Sequence, residues 1–208
     1  MDIQIIMDVE QSKNCIALLE DGVLQEYNDY SNENYKWAIG NIYRGRVEKI
    51  IPGLEAAFIN IGMEKNAFLH IDDMATNYLD DKYNKIKPSI SHILSEKQAI
   101  TVQIIKVAKG DKGVKVSTDI SLRGNYTVFM PMTNEVRISK KIKNFREKTR
   151  LKDLGDRFLK QYGGIIFRTI CQTLENEKIY EDIQVLHEQW IKIKTEEERG
   201  KIPRCVYE

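Results

Sequence analysis

Hydrophobic and polar positions alternate along the start of the chain, which is the pattern of half-buried β-strands. The alternation predicts short strands at Ile3–Val9, Asn14–Glu20 and Val23–Tyr30. The Asp21-Gly22 pair between the last two strands is typical of a tight hairpin turn. Three strands without a helix cannot bury both faces of a sheet, so we expect this segment to join a sheet that is completed elsewhere.

The alternation continues through Gly40–Asp72, where turn residues divide it into short strands. These turn residues are Gly45, Pro52, Gly53 and Gly62. Several short strands at such intervals are typical of a small closed β-barrel rather than an open sheet. Residues 75–98 break the alternation and are predicted to form a loop with helical turns. Two further strands are predicted within residues 99–118, on either side of a turn at Lys109–Gly113.

A second unit, which contains helices, begins near Asp119. Strands are predicted at Tyr126–Met130 and Ile165–Cys171, and helices at residues 145–162 and 176–198. Both helices carry apolar residues at steps of three and four, which is the core stripe of an amphipathic helix. We therefore assign the chain to the α+β class, with a β-barrel followed by a unit of strands and helices.

The net charge of +1 hides an asymmetry along the chain. Residues 1–35 contain eight acidic side chains and one basic side chain, so their net charge is −7 and the remainder carries +8. Contact with phosphate is therefore favoured after residue 40. The acidic start has a simpler explanation as well, because it could serve only to solvate one face of a sheet.

The three cysteines, Cys15, Cys171 and Cys205, are odd in number, far apart and without a CxxC pair. This spacing fits neither a disulfide framework nor a zinc site. We expect buried free thiols in a reducing cytoplasm. Because no apolar run reaches the length of a membrane span and the N-terminus lacks a basic signal region, we expect neither a membrane span nor secretion.

Two aromatic residues, Phe58 and Phe68, lie ten residues apart on predicted barrel strands, beside basic side chains. These basic side chains are Arg44, Arg46, Lys49 and Lys65. Single-stranded nucleic acid requires such a pairing, since bases stack on the rings and phosphates contact the cations. Periodicity alone leaves open whether both rings belong to the core of the barrel instead.

Several strings of the sequence, taken in order, resemble the N-terminal half of the ribonuclease E/G family. The matching strings are ALLEDG, IGNIYRGRV, PGLEAAFINIGMEKNAFLHIDD, TDISLRGNYTVFMP, ISKKI and GIIFRT. The resemblance implies an S1-type OB-fold barrel inserted after the first strands of a ribonuclease-H-like subdomain, followed by an α/β 5′-sensor subdomain. The implied domains are residues 1–38 for the first ribonuclease-H-like strands, 39–118 for the S1 barrel, 119–199 for the sensor, and 200–208 for the start of the second ribonuclease-H-like half.

The resemblance also implies which residues bind RNA. On the barrel these are Phe58 and Phe68, which form an aromatic platform for RNA bases, and Lys112. The basic side chains beside the rings add Arg44 and Arg46 as predicted RNA contacts. The ISKKI string adds Lys140 and Lys141 as basic residues that attract RNA phosphates. A solvated helix face explains the basic residues of this segment equally well.

A 5′-phosphate site is implied at four residues of the second unit, Gly124, Val128, Arg168 and Thr169. A guanidinium can bind two phosphate oxygens, a hydroxyl can donate a third bond, and glycine lets the backbone approach closely. A further arginine that completes this pocket in some family members would lie beyond residue 208. Taken alone, the Arg168-Thr169 pair would be explained by an ion pair at the end of a strand.

The family cleaves single-stranded RNA with a downstream domain similar to DNase I, which holds magnesium on two aspartates and is commonly followed by a zinc-binding CxxC linker. Nothing in this sequence matches either element. We therefore expect this chain to recognise RNA and to contain no catalytic or metal-binding residues. Magnesium and zinc would belong to a longer endoribonuclease that acts in rRNA processing or mRNA decay. Homo-oligomers would form through regions that lie mostly outside this chain. Two alternatives stay open: a complete, non-catalytic protein that binds single-stranded RNA, and a protein whose acidic N-terminal strands serve oligomerisation.

Overall fold

The computed structural model describes residues 2–10, 13–29, 39–75, 88–107 and 112–208. They belong to two units, Met1–Ala38 and Ile39–Glu208. The loop predicted over residues 75–98 and the turn predicted at residues 109–113 fall partly outside the described residues.

The first unit is an antiparallel sheet of three strands, in the order β1-β2-β3. The strands are β1 (Ile3–Glu10), β2 (Lys13–Glu20) and β3 (Val23–Asp29), which confirms the three predicted strands. Asp21 and Gly22 have φ angles of 48° and 77°. A type I′ hairpin turn needs positive φ at both of its central residues, so this pair suits the turn.

Five strands of the second unit close into a mixed β-barrel, as the sequence predicts. They are β4 (Ile42–Ile51), β5 (Ala56–Asn60), β6 (Ala67–His70), β7 (Ala99–Lys106) and β8 (Lys115–Ser117). They are hydrogen-bonded in the order β4-β5-β6-β8-β7, and β7 pairs back with β4 to close the barrel. Alternate residues such as Val47, Ile59 and Leu69 are fully buried inside. A short helix, α1 (Ile90–Ile93), precedes β7.

A four-stranded sheet covered by two helices follows the barrel. Its strands are β9 (Leu122–Arg123), β10 (Thr127–Met130), β11 (Val136–Ile138) and β12 (Gly164–Phe167), in the order β11-β12-β10-β9. The helices are α2 (Phe145–Leu159) and α3 (Asn176–Glu197), which confirms the two predicted helices. They bury Phe129, Ile165 and Phe167 on one face of the sheet.

The strand predicted at Ile165–Cys171 is wrong in its second half. The strand β12 ends at Phe167, and Thr169–Thr173 form a 3-10 helix. The chain turns there because the backbone N–H of Cys171 donates back to the carbonyl of Arg168 (3.0 Å).

The last strand, β13 (Arg204–Tyr207), pairs antiparallel with the barrel strand β4, with Arg204 opposite Arg44. The barrel and the following sheet also share a core, in which Ile42 of β4 lies in one buried cluster with Phe129 and Ile193. Residues 39–208 therefore form one unit, and the finer domain boundaries given above stay predictions.

Candidate nucleic-acid interface

The two predicted platform rings lie together on the outside of the barrel. Phe58 of β5 is paired with Phe68 of β6, and their ring centroids are 6.0 Å apart with 65° between the ring planes. Both side chains are half-buried, whereas the next residues along each strand, Ile59 and Leu69, are fully buried. Because successive residues of a strand point to opposite faces, the rings lie on the outer face and not in the core.

Lysines flank this ring pair on both neighbouring strands. Lys49 of β4 is paired with Phe58, and Lys115 of β8 is paired with Phe68. We call these four residues the outer row. Lys49 is exposed, and the ammonium of Lys115 lies 2.7 Å from a carboxylate oxygen of Asp73. Sequence reasoning missed Lys115, because the register that brings it beside Phe68 joins strands distant in sequence.

The other barrel cations that are predicted to bind RNA fall into two groups. Lys112 and Arg46 are exposed. Lys112 lies near the ring pair, since Val114, two residues later, accepts a hydrogen bond from the backbone N–H of Phe68 (2.8 Å). Arg44 is different, because its guanidinium donates to the carboxylate of Glu197 in α3 (3.0 Å). This ion pair neutralises Arg44, so we leave it out of the proposed RNA contacts.

Arg168 immediately follows β12 and is exposed. Its guanidinium donates to the backbone carbonyl of Asn125 (3.1 Å). Among the described residues it forms no ion pair with a carboxylate, so none of their carboxylates neutralises its charge. The ion pair considered above as a simpler explanation is therefore not formed within these residues.

Beside Arg168, a surface depression of about 400 Å³ brings together residues that the sequence suggested separately. Its polar lining comprises Ser139, Lys141, Arg168 and Thr169. The hydroxyls of Ser139 and Thr169 are hydrogen-bonded to each other (2.8 Å). We call this depression the phosphate pocket, because two cations and two hydroxyls are suited to a phosphate group. Sequence reasoning missed Ser139, since a lone hydroxyl before two lysines gives no signal of its own.

Gly124 lies against a buried carboxylate on α3. The carboxylate of Asp182 accepts bonds from the backbone N–H groups of Asn125 (2.8 Å), Tyr126 (3.1 Å) and Thr127 (2.9 Å), and from the Thr127 hydroxyl (2.7 Å). A Cβ atom at Gly124 would lie 2.5 Å from this carboxylate. The glycine therefore has a structural reason independent of any ligand, namely the close approach of Asp182.

Val128 lies on the open face of the four-stranded sheet, opposite the helices. It is paired with Ile166 of β12 and with Arg123 of β9, and Ile166 is paired in turn with Arg137 of β11. Alternation along β12 places Arg168 on the same face as Ile166. The structure thus brings Val128 and Arg168 to one side of the sheet, while Lys140 is exposed just outside the phosphate pocket.

The thiol of Cys171 forms a hydrogen bond to the turn that also binds Arg168. Burial raises the pKa of Cys171 to about 11, so the thiol stays protonated at neutral pH. It donates to the carbonyl of Tyr126 (3.1 Å).

In the part of the chain that the structure describes, no three His, Cys, Asp or Glu side chains are grouped to hold a metal ion. None of the helices described is both long and apolar enough to cross a membrane.

Comparison with known proteins identifies relatives across the chain. The sequence profile of the Ribonuclease E/G family matches residues 121–208. Ribonuclease G of Haemophilus influenzae is 37% identical over 97% of this chain and 41% of its own length. Ribonuclease G of Escherichia coli is 32% identical over 100% of this chain and 42% of its own length, and ribonuclease E of a Nostoc species is 36% identical over 79% and 24%. The chain thus spans about two fifths of the length of the ribonucleases G that it matches.

Proposed function

This chain belongs to the ribonuclease E/G family, and from that premise we propose that it is the RNA-binding and 5′-end-recognising N-terminal part of an endoribonuclease acting on single-stranded RNA. The observation that carries the proposal is the outer row, in which two accessible rings lie between two lysines. Rings and cations in this order suit bases and phosphates of one strand.

The barrel supplies affinity that does not depend on sequence. Every base has a flat face, and stacking on an aromatic side chain contributes about 1–3 kcal/mol per base. Lys49 and Lys112 are exposed beside the rings and are suited to contact the phosphates on either side. The barrel is thus suited to hold any unpaired stretch of RNA.

The phosphate pocket supplies recognition of the 5′ end. Its guanidinium, ammonium and two hydroxyls match the oxygens of one terminal phosphate. A triphosphate brings additional bulk and charge that a pocket for one phosphate does not accommodate. We therefore expect a monophosphorylated 5′ end to be preferred.

Cleavage is assigned to other parts of a longer protein. The resemblance implies a magnesium-dependent catalytic domain downstream of the region that this chain matches, which is about two fifths of ribonuclease G. We accordingly assign magnesium, and zinc where a linker motif is present, to regions outside this chain. The proposed location is the bacterial cytoplasm, where the thiols of Cys15, Cys171 and Cys205 would stay reduced.

Filter binding with two oligonucleotides that differ only at the 5′ end tests the proposal. We expect the 208-residue chain to bind the 5′-monophosphate form more tightly than the 5′-hydroxyl form. Arg168→Ala should remove about tenfold to a hundredfold of that preference, because a hydrogen bond to a charged group contributes about 1.5–3 kcal/mol. Arg146→Ala, a change at an exposed arginine of α2, is the matched control.

Two results would contradict the proposal. Equal affinity for both 5′ ends in the unmodified chain would remove the 5′-sensing role. Undiminished binding of the 5′-hydroxyl oligonucleotide by Phe58→Ala and Phe68→Ala would remove the barrel as the RNA platform.

A further inference from the structure

An aromatic side chain projects into solvent at the start of the helix α2, and neither the barrel platform nor the phosphate pocket uses it. Phe145, the first residue of α2, is 80% exposed. The helix packs through other apolar residues, since Leu151 and Phe158 are buried in one core cluster and Leu154 packs against it. The ring of Phe145 is therefore not part of the apolar face that holds α2 on the sheet.

Exposed lysines surround this ring. Lys143 and Lys148 form no ion pair among the described residues. Lys148 lies on the same side of the helix as Phe145, because residues three positions apart are neighbours on a helix surface. Glu147, the only acidic residue between positions 140 and 152, is paired with Arg150 (2.8 Å). The surroundings of the ring therefore stay positively charged.

The ring is held in place close to the phosphate pocket. Lys141 of that pocket precedes Phe145 by four residues, so their Cα atoms lie within about 14 Å of each other. The side chain of Asn144 accepts hydrogen bonds from two backbone N–H groups in the first turn of α2 (2.9 and 3.4 Å). The guanidinium of Arg150 donates to the carbonyl of Cys171 (2.9 Å), which lies in the 3-10 helix that begins at the pocket. A ring on such an ordered turn loses little entropy when a ligand binds.

We infer that Phe145 is a second stacking platform, on which a base near the 5′ end of the RNA stacks while Lys143 and Lys148 contact phosphates beside it. The inference rests on the proposed function, since the base belongs to the strand whose terminal phosphate occupies the phosphate pocket. The chain would then hold bases at two places, one beside the 5′ end and one on the barrel.

The composition of this surface favours RNA over two other kinds of partner. A membrane surface needs several apolar side chains on one helix face. Phe145 is the only exposed apolar residue of α2, a helix that the structure describes over its whole length. An apolar protein surface could cover the ring but would leave the lysines without opposite charges. A single strand of RNA supplies both a flat base and phosphates.

Fluorescence anisotropy at fixed salt, with a 5′-monophosphorylated single-stranded oligonucleotide, tests the second platform. Phe145→Ala should bind about fivefold to a hundredfold more weakly, which is the range for one lost base stack. Phe145→Trp keeps a flat aromatic face and should bind no more weakly than the unmodified chain. Phe145→Leu keeps an apolar side chain without a flat face, so it should bind about as weakly as Phe145→Ala. Ile191→Ala, at a residue of α3 that is 51% exposed, is the matched control and should not change the affinity.

A scan with one abasic position at a time locates the stacked base. The penalty of Phe145→Ala should disappear at one position among the first few nucleotides after the 5′ phosphate, since the lost partner is then already absent. The penalty of Phe58→Ala should disappear at a different position, farther from the 5′ end.

The outcomes separate this inference from the function on which it rests. If Phe58→Ala weakens binding and Arg168→Ala removes the 5′ preference while Phe145→Ala changes neither, the second platform is wrong and the proposed function stands. If Phe145→Leu binds as tightly as the unmodified chain, or if the penalty of Phe145→Ala persists at every abasic position, no base stacks on Phe145 and the second platform is wrong. If none of these variants changes binding, the proposed function fails together with the inference.

Discussion

Asp182 connects the helix α3 to the turn on which the phosphate pocket depends. Its carboxylate accepts hydrogen bonds from the backbone N–H groups of residues 125–127. The same turn is hydrogen-bonded to Arg168 at two points. The Asn125 carbonyl accepts from the guanidinium, and the Tyr126 carbonyl accepts from the Arg168 backbone N–H (both 3.1 Å). Asp182 is therefore a positioning residue, since it orients the cation through the turn and does not line the phosphate pocket.

Removing this carboxylate should cost both stability and 5′-end recognition. We expect Asp182→Ala to lower the free energy of unfolding by about 2–4 kcal/mol, because it leaves several buried donors without an acceptor. The preference for a 5′-monophosphate should fall in the same variant, while affinity for a 5′-hydroxyl oligonucleotide stays near that of the unmodified chain. Urea unfolding and filter binding measure the two effects, and unchanged 5′ preference in the folded variant would contradict the positioning role.

Gly124 and Asp182 should be coupled. Gly124→Ala places a Cβ atom against the carboxylate, so we expect a loss of about 1–3 kcal/mol in the free energy of unfolding. In a chain that already carries Asp182→Ala the same change should cost much less, because the obstacle is gone. A double-mutant cycle from urea unfolding measures the difference, and strictly additive losses would show that the two residues do not interact.

Among individual residues, the sequence predicted those that match family motifs and missed those that act through hydrogen bonds to the backbone. Phe58 and Phe68 could be named from their strand positions and the resemblance. Asp182 could not, because it lies one position before Ile183 of the apolar stripe of α3, and a carboxylate that binds backbone N–H groups leaves no pattern in the partner residues. Ser139 was missed for a different reason, because it lines the phosphate pocket with a lone hydroxyl that gives no signal in the sequence.

Among the elements, α3 is joined to the barrel by an ion pair. The carboxylate of Glu197 accepts from Arg44 (3.0 Å) and from the Thr101 hydroxyl (2.6 Å), and it also binds Lys194. Burial alone would raise the pKa of Glu197, but the hydrogen bonds from Lys194 and Thr101 and the neighbouring positive charges outweigh burial, so the pKa is lowered. The ionised form is therefore the stabilising one.

This lowered pKa predicts how stability depends on pH. At neutral pH we expect Glu197→Gln to reduce the free energy of unfolding by about 1–3 kcal/mol. The difference between variant and unmodified chain should shrink as pH falls below the ordinary carboxyl value of 4.5 and through the lowered pKa, because the unmodified chain then loses the ionised group as well. Urea unfolding between pH 3 and 7 measures it, with the more exposed Glu196→Gln as control.

The basic segment before and within α2 yields a prediction about salt. Lys141 lines the phosphate pocket and Lys140 is exposed just outside it, whereas Lys152 is paired with Asp156 (2.8 Å). If the two lysines contact RNA, the double variant Lys140→Ala, Lys141→Ala should reduce the slope of log affinity against log salt by about 1–1.5, since each phosphate contact in a single strand contributes about 0.7. Lys152→Ala is the control. An unchanged slope would identify the segment as a solvated surface.

On the scale of the whole unit, the barrel and the four-stranded sheet are held by one core. Ile42 of the first barrel strand is buried in one cluster with Leu122, Phe129 and Leu186. The outer row and the phosphate pocket therefore lie within one unit, residues 39–208. We expect a preferred length of RNA between the 5′ end and the stacked bases, which oligonucleotides of stepwise increasing length would reveal as an affinity optimum.

The sequence predicted the order of these elements better than their pairing. Alternation and helical stripes are local, so the barrel strands and both helices were found. The pairing of β13 with β4 joins residues about 160 positions apart, and such a contact leaves no local pattern. The 3-10 helix after β12 was missed for a related reason, because its turn depends on the backbone of Arg168 and Tyr126.

One side of β4 is shared by two partners: β5 pairs with residues 46–51, and β13 pairs with residues 42–44. The final strand thus shields amide and carbonyl groups that would otherwise form a bare rim. A chain shortened to Gly200 would present that rim as a template on which strands from other copies can add. Removal of these few residues should therefore promote aggregation before it affects the rings of Phe58 and Phe68 or the guanidinium of Arg168.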